Sequence, residues 1–328
     1  MRIVIAGFGT VGQGFAEVLN MKSELLSSSD VRIVAAFDSK SYAMDKNGLD
    51  PVALVKKKRD TGSVGSKKLK SGIDVLDSVE YDVLIEVTPT DILTGGDGLK
   101  HMEHALRNGK DVITVNKGPL ALKFKELSKM AKKKGAEIRF EGSVGGAMPI
   151  INLCSENLRG ERVRSIRGIF NGTCNFILSR MDNGLPFEQA LKEAQQLGYA
   201  EADPKYDIEG IDAACKVVIL ANSIFKRSVT FSDVSITGIA SVSAEAIALA
   251  DDQDMVIRLI GEVSDTVLEV SPRLIPKGHP LSISGTLNTA QIITDLAGPI
   301  TVSGKGAGRI ETASAILSDL MAIMERRR

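Results

Sequence analysis

The opening of the chain leaves it little freedom in fold. A short apolar run, Arg2-Ile-Val-Ile-Ala6, passes straight into Gly7-Phe-Gly9-Thr-Val-Gly12 and then into the helix-like stretch 14–21. Such a run bounded by turn glycines reads as a buried strand of a parallel sheet. A GxGxxG between a strand and a helix is the first turn of a dinucleotide-binding βαβ unit. Gly7 serves the tight turn, Gly9 lets backbone approach a pyrophosphate, and Gly12 allows the helix to pack closely on the strand. The helix start, with the N–H groups of Thr10 and Val11, brings the positive end of its dipole to the phosphates. The chain therefore reads as α/β, with a Rossmann-type doubly wound parallel sheet in its N-terminal part.

A second strand, expected at 31–37, ends in Asp38, placed to accept both ribose hydroxyls of NAD. Lys40 and the basic run 56–59, read as part of the loop that follows, suit a 2′-phosphate instead, so NAD and NADP both stay open. Residues 60–72 read as exposed loop. The strand at 81–88 should present its end, Thr88, to the cofactor, because ligands lie at the C-terminal edge of a parallel sheet. A helix at 98–108 follows, in which His101 and His104 lie among Lys, Glu and Arg and read as solvated. Strand 111–115 then ends in Asn116-Lys117, which aims Lys117 at the same edge; a surface loop lysine is the alternative. Helix 120–134 and strand 138–140 complete a nucleotide domain over residues 1–140. Beyond it, Glu141-Gly-Ser-Val-Gly-Gly-Ala-Met-Pro149 offers a carboxylate and open backbone carbonyls, oxygens that suit a hard monovalent cation. A bare tight turn would explain the same residues.

From about 150 the pattern changes to α+β, a second domain over 141–303 for substrate and dimerisation. It should hold a helix at 149–159, a strand at 163–170, and a helix entered through Asn171-Gly-Thr-Cys-Asn. A helix at 186–197 opens on Pro186 and is closed by Gly198. Further on come a helix at 244–249 and strands at 256–263, 267–274 and 291–296. A sheet covered by helices on one face leaves the other for a second copy of the chain. Gly304-Lys-Gly306-Ala-Gly308 leads into a helix at 311–324, a glycine cluster that reads as a return of segment 304–328 to the nucleotide domain.

The chemistry concentrates between Gly198 and Lys216, where Glu201, Asp203, Asp207, Glu209 and Asp212 precede one lysine. Asp207 suits the N-cap of a helix starting at Ile208. From there Ile208, Ile211, Cys215, Val218 and Ile219 form a stripe, and past Lys216 the helix is apolar nearly all round, as buried helices are. Asp212 and Lys216 stand four apart, within reach of each other. For an ammonium at the edge of a buried helix, desolvation opposes the charge and the carboxylate supports it. That is a setting for a proton donor or acceptor, and equally for an ordinary ion pair.

Charge and composition narrow the classes that remain. The 41 basic and 41 acidic residues balance, and Trp is absent, so neither nucleic acid nor an anionic membrane is an expected partner. Cys154, Cys174 and Cys215 are scattered without metal or disulfide spacing, which fits buried thiols in a reducing compartment. The N-terminus enters a strand without a signal-type region, and no apolar run reaches the roughly 20 residues of a membrane span. A soluble, cytoplasmic protein is expected.

Together these stretches resemble homoserine dehydrogenase over nearly the whole chain. The resemblance rests on the glycine motif at 7–12, Asn116-Lys117, 141–149, Asn171-Gly-Thr-Cys-Asn-Phe-Ile-Leu178, the 198–216 stretch, and 304–308 followed by Glu-Thr-Ala-Ser-Ala. The 198–216 stretch is the most specific of them. The likeness implies NAD(P)-dependent interconversion of L-homoserine and L-aspartate 4-semialdehyde, in threonine and methionine biosynthesis, by a chain resembling the short, monofunctional form, and the free sheet face makes a homodimer the expected assembly. It implies Lys216 as proton donor, Lys117 as a second lysine near substrate and nicotinamide, and Asp212 as the carboxylate that orients the reacting group. Glu201 and Asp207, with Gly198 beside them, correspond to the substrate-holding positions. Glu141 with the carbonyls of Val144, Gly146 and Met148 corresponds to a sodium site. Cys174 departs from a threonine common in the family, and 88–90 is a variable region. Two other readings keep the nucleotide domain: a dehydrogenase of another small amino acid, which lacks the expected arginine pair, and a nucleotide sensor, which has no use for Lys216 or Lys117.

Overall fold

The computed structural model describes residues 1–327, with Ser28 described through its backbone only. Two units result: Met1–Gly146 together with the chain from Gly308 onward, and Ala147–Ala307. The handover falls at 146/147 rather than 140/141, because the turn after the last strand of the first unit is bonded into that unit. The Glu141 N–H donates to Asp319 Oδ2 (3.0 Å) and the Ser143 hydroxyl to the Phe140 carbonyl (2.6 Å). Arg328, the last residue of the expected C-terminal segment, lies outside the described residues.

In the first unit β1 (Arg2–Ala6), β2 (Arg32–Phe37), β3 (Ser41–Leu49), β4 (Lys67–Lys68), β5 (Val83–Glu86), β6 (Asp111–Thr114) and β7 (Ile138–Arg139) form one sheet. Their order is β4-β3-β2-β1-β5-β6-β7. From β2 to β7 neighbours are parallel, with β1 paired to both β2 and β5, which makes the expected doubly wound core. Strands β3 and β4 extend it antiparallel, a hairpin the sequence reading left out. The helices are α1 (Thr10–Met21), the short α2 (Ser23–Leu26), α3 (Pro51–Thr61), α4 (Gly72–Asp77), α5 (Gly96–Arg107) and α6 (Lys117–Lys134). The basic run 56–59 is thus helical, in α3, and not loop. Asp50 caps that helix by accepting the Val52 N–H, Pro51 opens it, and Gly62 at φ +72° ends it. Helix α6 begins at Lys117, capped by the Asn116 side chain, and kinks at Lys123.

The core of this unit is made by Ile3, Ile5, Phe8, Phe15, Ile85 and Ile113, closed by Ala313, Ile316, Leu320 and Ile323 of the C-terminal helix Arg309–Arg326. Each such buried Ile, Leu or Phe side chain contributes about 1.5–3 kcal/mol. Gly14 permits the close crossing of this helix on α1, since a Cβ there would stand 2.4 Å from the Arg309 carbonyl. At its far end Arg326 and Arg327 both donate to the buried Asp111 carboxylate, at 2.8 and 2.9 Å. Charge-assisted bonds of that kind contribute about 1.5–3 kcal/mol each, and less where the arginine is part-exposed, as both are here.

The second unit holds α7 (Ile150–Asn152), β8 (Val163–Ile169), α8 (Gly172–Asp182), α9 (Phe187–Gln196), α10 (Lys205–Ile208), α11 (Ile211–Ser223), β9 (Ser235–Ile236), α12 (Ala244–Asp252), β10 (Met255–Ser264), β11 (Leu268–Pro276), β12 (Leu287–Thr294) and β13 (Pro299–Lys305). The helix expected at 149–159 resolves into α7 and a π-helical turn, Leu153–Asn157. Six strands pair in the order β13-β12-β8-β10-β11-β9, all antiparallel except β9 with β11. Strand β13 escaped the sequence reading because it is an edge whose residues alternate exposed and half-buried, with no apolar face to mark it.

Helix α11 is the centre of this unit, and every residue from Asp212 to Ser223 is buried. Its start differs from expectation. Asp207 does not cap it: α10 ends at Ile208, Gly210 turns the backbone at φ +81°, and α11 begins at Ile211. A left-handed residue ends one helix and redirects the chain before the next. The Asp207 carboxylate, spared from capping, is left for another partner.

Candidate active site

On α11 one helical turn brings Asp212 and Lys216 together, as their spacing predicts. The Lys216 ammonium donates to Asp212 Oδ2 at 2.7 Å and to the Phe170 carbonyl, just past the end of β8, at 2.5 Å. Lys216 is 7% exposed. An ammonium has three donors, and among the described residues these two acceptors leave one N–H for a further oxygen. The carbonyl and carboxylate compensate a charge that burial alone would disfavour.

Asn171 caps α8, its Oδ1 accepting the Cys174 N–H at 2.8 Å. Its amide Nδ2 donates to Asp207 Oδ1 (2.7 Å) and to Asp212 Oδ2 (3.1 Å). Burial pushes the Asp207 carboxyl above the usual range and Asp212 adds to this, while the Asn171 amide and Lys216 pull it back. The Cys174 thiol, donating to the Asp207 carbonyl at 3.1 Å, is pushed well up by burial and then by Asp207 and Asp212. The Tyr206 phenol, 3.7 Å from Cys215 Sγ, is raised by burial as well. All three cysteines are buried and unpaired in disulfides. The structure thus gathers Lys216, Asp212 and Asp207, whereas Glu201 is exposed and reaches Asp207 only through its charge. Gly198 closes α9 at φ +74°.

A raised carboxyl makes the ionised form costlier in the fold than in the unfolded chain, where Asp titrates near about pH 3.9. The folded state therefore carries the full cost at neutral pH and loses it as pH falls through both values. Asp207→Asn is expected to raise the melting temperature at pH 7, the gain vanishing near pH 4 and below. Melting followed by circular dichroism across that range checks it; equal melting of both proteins at pH 7 would refute it.

In the first unit the turn after β1 is crowded within and open without. Gly7 sits at φ +93°, where a Cβ would lie 2.6 Å from the Val87 carbonyl, and a Cβ on Gly12 would lie 2.2 Å from the Gly7 carbonyl. Around Gly9 there is nothing within 4 Å, and α1 starts there with no side-chain cap. With no side chain capping the first turn of α1 and room beside Gly9, this cradle fits a pyrophosphate at the N–H groups of Thr10 and Val11. Asp38 at the end of β2 is already engaged. Its Oδ1 accepts the N–H groups of Lys40 (2.8 Å) and Ser41 (2.7 Å), and its Oδ2 accepts Lys58 Nζ (2.6 Å) and the Val64 N–H (3.1 Å). Burial works to raise this carboxyl, but Lys58 and the two backbone N–H groups outweigh it and hold it below the usual range. Lys40 is exposed beside it.

At the end of β5 lies a network the sequence reading missed. Glu86, fully buried, accepts the Thr88 N–H at 2.9 Å and the Thr88 hydroxyl, and its other oxygen is 2.9 Å from His101 Nδ1. Thr88 Oγ1 in turn accepts Asn116 Nδ2 at 3.2 Å, which ties Thr88 to the cap of α6 where Lys117 begins. His101 is therefore not solvated but 5% exposed, edge-on to Phe37. The signal was present: Gly98, His101, Met102, Ala105 and Leu106 make the buried stripe of α5. Gly306, in the second unit, is held by close approach, since a Cβ there would stand 1.9 Å from Asn288 Nδ2. Glu141, Val144 and Met148 are buried, and Gly146 takes φ +59°. Among the described residues no three His, Cys, Asp or Glu side chains gather as metal ligands.

Two family models match the chain, "Homoserine dehydrogenase, NAD binding domain" over residues 7–141 and "Homoserine dehydrogenase" over 149–321. A homoserine dehydrogenase of Methanocaldococcus jannaschii is 49% identical, with 98% of each chain covered. Among solved structures, a candidate homoserine dehydrogenase from Archaeoglobus fulgidus has a TM-score of 0.93 at 48% identity, covering 99% of both chains. A hyperthermophilic archaeal homoserine dehydrogenase in complex with NADPH has a TM-score of 0.86 at 30% identity, over 98% of this chain and 96% of that one. The chain belongs to the homoserine dehydrogenase family.

Proposed function

We propose that this NAD(P)-dependent oxidoreductase interconverts L-homoserine and L-aspartate 4-semialdehyde, the threonine and methionine pathway reaction, with Lys216 as the proton-transfer group. The observation that carries it is the buried Lys216 ammonium, fixed by Asp212 and Phe170 with one N–H to spare. The nicotinamide, when bound, gives or takes the hydride. As the aldehyde is reduced, negative charge develops on its oxygen; the remaining Lys216 N–H stabilises that charge and supplies the proton. In the oxidative direction the same nitrogen takes the hydroxyl proton. Asp212 orients Lys216, and Asp207 and Glu201, near Gly198, hold the substrate ammonium. Lys117, at the start of α6, is the second lysine near the reacting carbon.

Residues 1–146 and the C-terminal helix form the nucleotide-binding part, with Gly7, Gly9, Thr10, Val11 and Gly12 at the pyrophosphate, Thr88 near the nicotinamide and Gly306 as a further contact. Both Asp38 oxygens already have their bonds, so this residue discriminates weakly against a 2′-phosphate, and Lys40 and Lys58 can accommodate one. Glu141 with the carbonyls of Val144, Gly146 and Met148 is proposed to hold a sodium ion. A homodimer through the second sheet fits the exposed Leu274 and Leu287 on its strands. A cytoplasmic location fits three buried thiols and the lack, among the described residues, of any helix long and apolar enough to cross a membrane.

The test is the initial rate of L-homoserine oxidation, followed as absorbance of reduced cofactor, with NAD and NADP in parallel. We expect homoserine-dependent turnover with both, at rates within about tenfold of each other, one pKa-sized increment of energy. Turnover with only one cofactor would overturn the reading of Asp38, and turnover with neither would overturn the assignment itself.

A further inference from the structure

Asn171 opens one of the sequence motifs singled out above, yet the reaction as described gives it no part. Its amide is only 5% exposed, and all of its polar capacity points inward. The helix cap decides its orientation: Oδ1 must accept the Cys174 N–H, so the NH2 group has to face the other way. There it meets two carboxylates at once, Asp207 Oδ1 at 2.7 Å and Asp212 Oδ2 at 3.1 Å. That Asp212 oxygen is the same one that receives Lys216 Nζ at 2.7 Å. Asn171 and Lys216 therefore share an acceptor, and the amide bridges the buried Asp212 and the half-buried Asp207.

We propose that Asn171 is a positioning residue for Lys216, holding the carboxylates of Asp207 and Asp212 side by side in their ionised forms so that Asp212 keeps the ammonium aimed. The inference rests on the reading of Lys216 as the proton-transfer group. Two carboxylates in a buried site repel, and each favours protonation unless donors support its charge. Asp207 faces Asp212 and Lys216 from α11, Asn171 and the Cys174 thiol from α8, and the charge of the exposed Glu201. The thiol of Cys174 and the phenol of Tyr206 are both raised by burial and stay protonated, so neither adds a further negative charge beside the two carboxylates. The amide donates to both carboxylates and the ammonium to Asp212, so each favours the ionised pair. Without the amide, Asp212 on protonation would release its hold on Lys216, and the proton donor would lose its orientation at a higher pH than in the native enzyme.

The test compares Asn171→Ser and Asn171→Asp in the full chain. Both replacements are good N-caps, so α8 keeps its start while the amide donors disappear. For Asn171→Ser we expect kcat to fall by about tenfold or more, with KM for the dinucleotide unchanged, and the acidic limb of the kcat profile to move up by about one pH unit. For Asn171→Asp, which sets a third carboxylate against the other two, the loss and the shift should both be larger. A native kcat and acidic limb in Asn171→Ser, alongside an inactive Lys216→Ala, would reduce Asn171 to a helix cap and overturn the proposal. If Asn171→Ser does not fold, Asn171→Asp decides alone, and an unmoved acidic limb in it is the overturning result. Turnover retained by Lys216→Ala would instead sink the underlying proton-transfer reading.

Discussion

Lys216→Ala is expected to lower kcat for L-homoserine oxidation by about three orders of magnitude while leaving NAD(P) affinity within about twofold. A positioned proton donor accounts for 10²- to 10⁴-fold of rate, and a donor aimed at a developing oxyanion for about 3–4 kcal/mol. Both roles fall on one ammonium here, because Asp212 and Phe170 occupy two of its donors and leave a third. The same burial introduces a competing effect: removing Lys216 takes its positive charge away from Asp212 and Asp207, and breaking a buried pair costs about 3–5 kcal/mol. Stability and chemistry must therefore be read separately, the first by thermal melting and the second by turnover per folded, cofactor-binding molecule. Loss of turnover with cofactor binding intact supports the proton-transfer role. Retention of a tenth or more of the native kcat would make Lys216 an ion-pair partner whose place is structural.

Gly9→Val is expected to raise KM for both dinucleotides by at least about tenfold, with melting within a few degrees of native. The prediction turns on the difference between neighbouring glycines. A side chain on Gly7 would be forced to φ +93° and into the Val87 backbone, and one on Gly12 into the Gly7 carbonyl, so changes there damage the fold. Gly9 has a negative φ of −82°, with ψ at −148° at the margin of the extended region, and open space around its missing Cβ. Its isopropyl group would meet only what binds at the helix N-terminus, where backbone N–H groups otherwise reach the phosphates. Initial rates over a range of each cofactor's concentration, beside a melting curve, check both halves. An unchanged KM would show that the pyrophosphate does not rest on Gly9, and a large fall in melting temperature would show that the turn is tighter than its geometry implies.

The features legible in the sequence were those whose physics is local. The strand, GxGxxG and helix fixed a parallel nucleotide-binding sheet because turn, phosphate approach and helix packing each demand glycine within six residues of chain. Asp212 and Lys216 could be paired from their spacing alone, since a helix turn decides their distance. The buried character of α11 followed from its apolar composition.

Tertiary structure decided whatever depends on partners distant in the chain. Asp38 looked like a free ribose acceptor, but Lys58 and the Val64 N–H, twenty and more residues on, take one of its oxygens. Asp207 looked like a helix cap because capping is the local use of an aspartate; the left-handed turn at Gly210 and the amide of Asn171, on another helix, gave it a different partner. His101 looked solvated among charged neighbours until the sheet covered its stripe and Glu86 met its ring. A residue's secondary structure is set largely by the residues within a turn or two of it. The ionisation and orientation of its side chain are set by whatever the fold packs against it, and no spacing in the sequence encodes that.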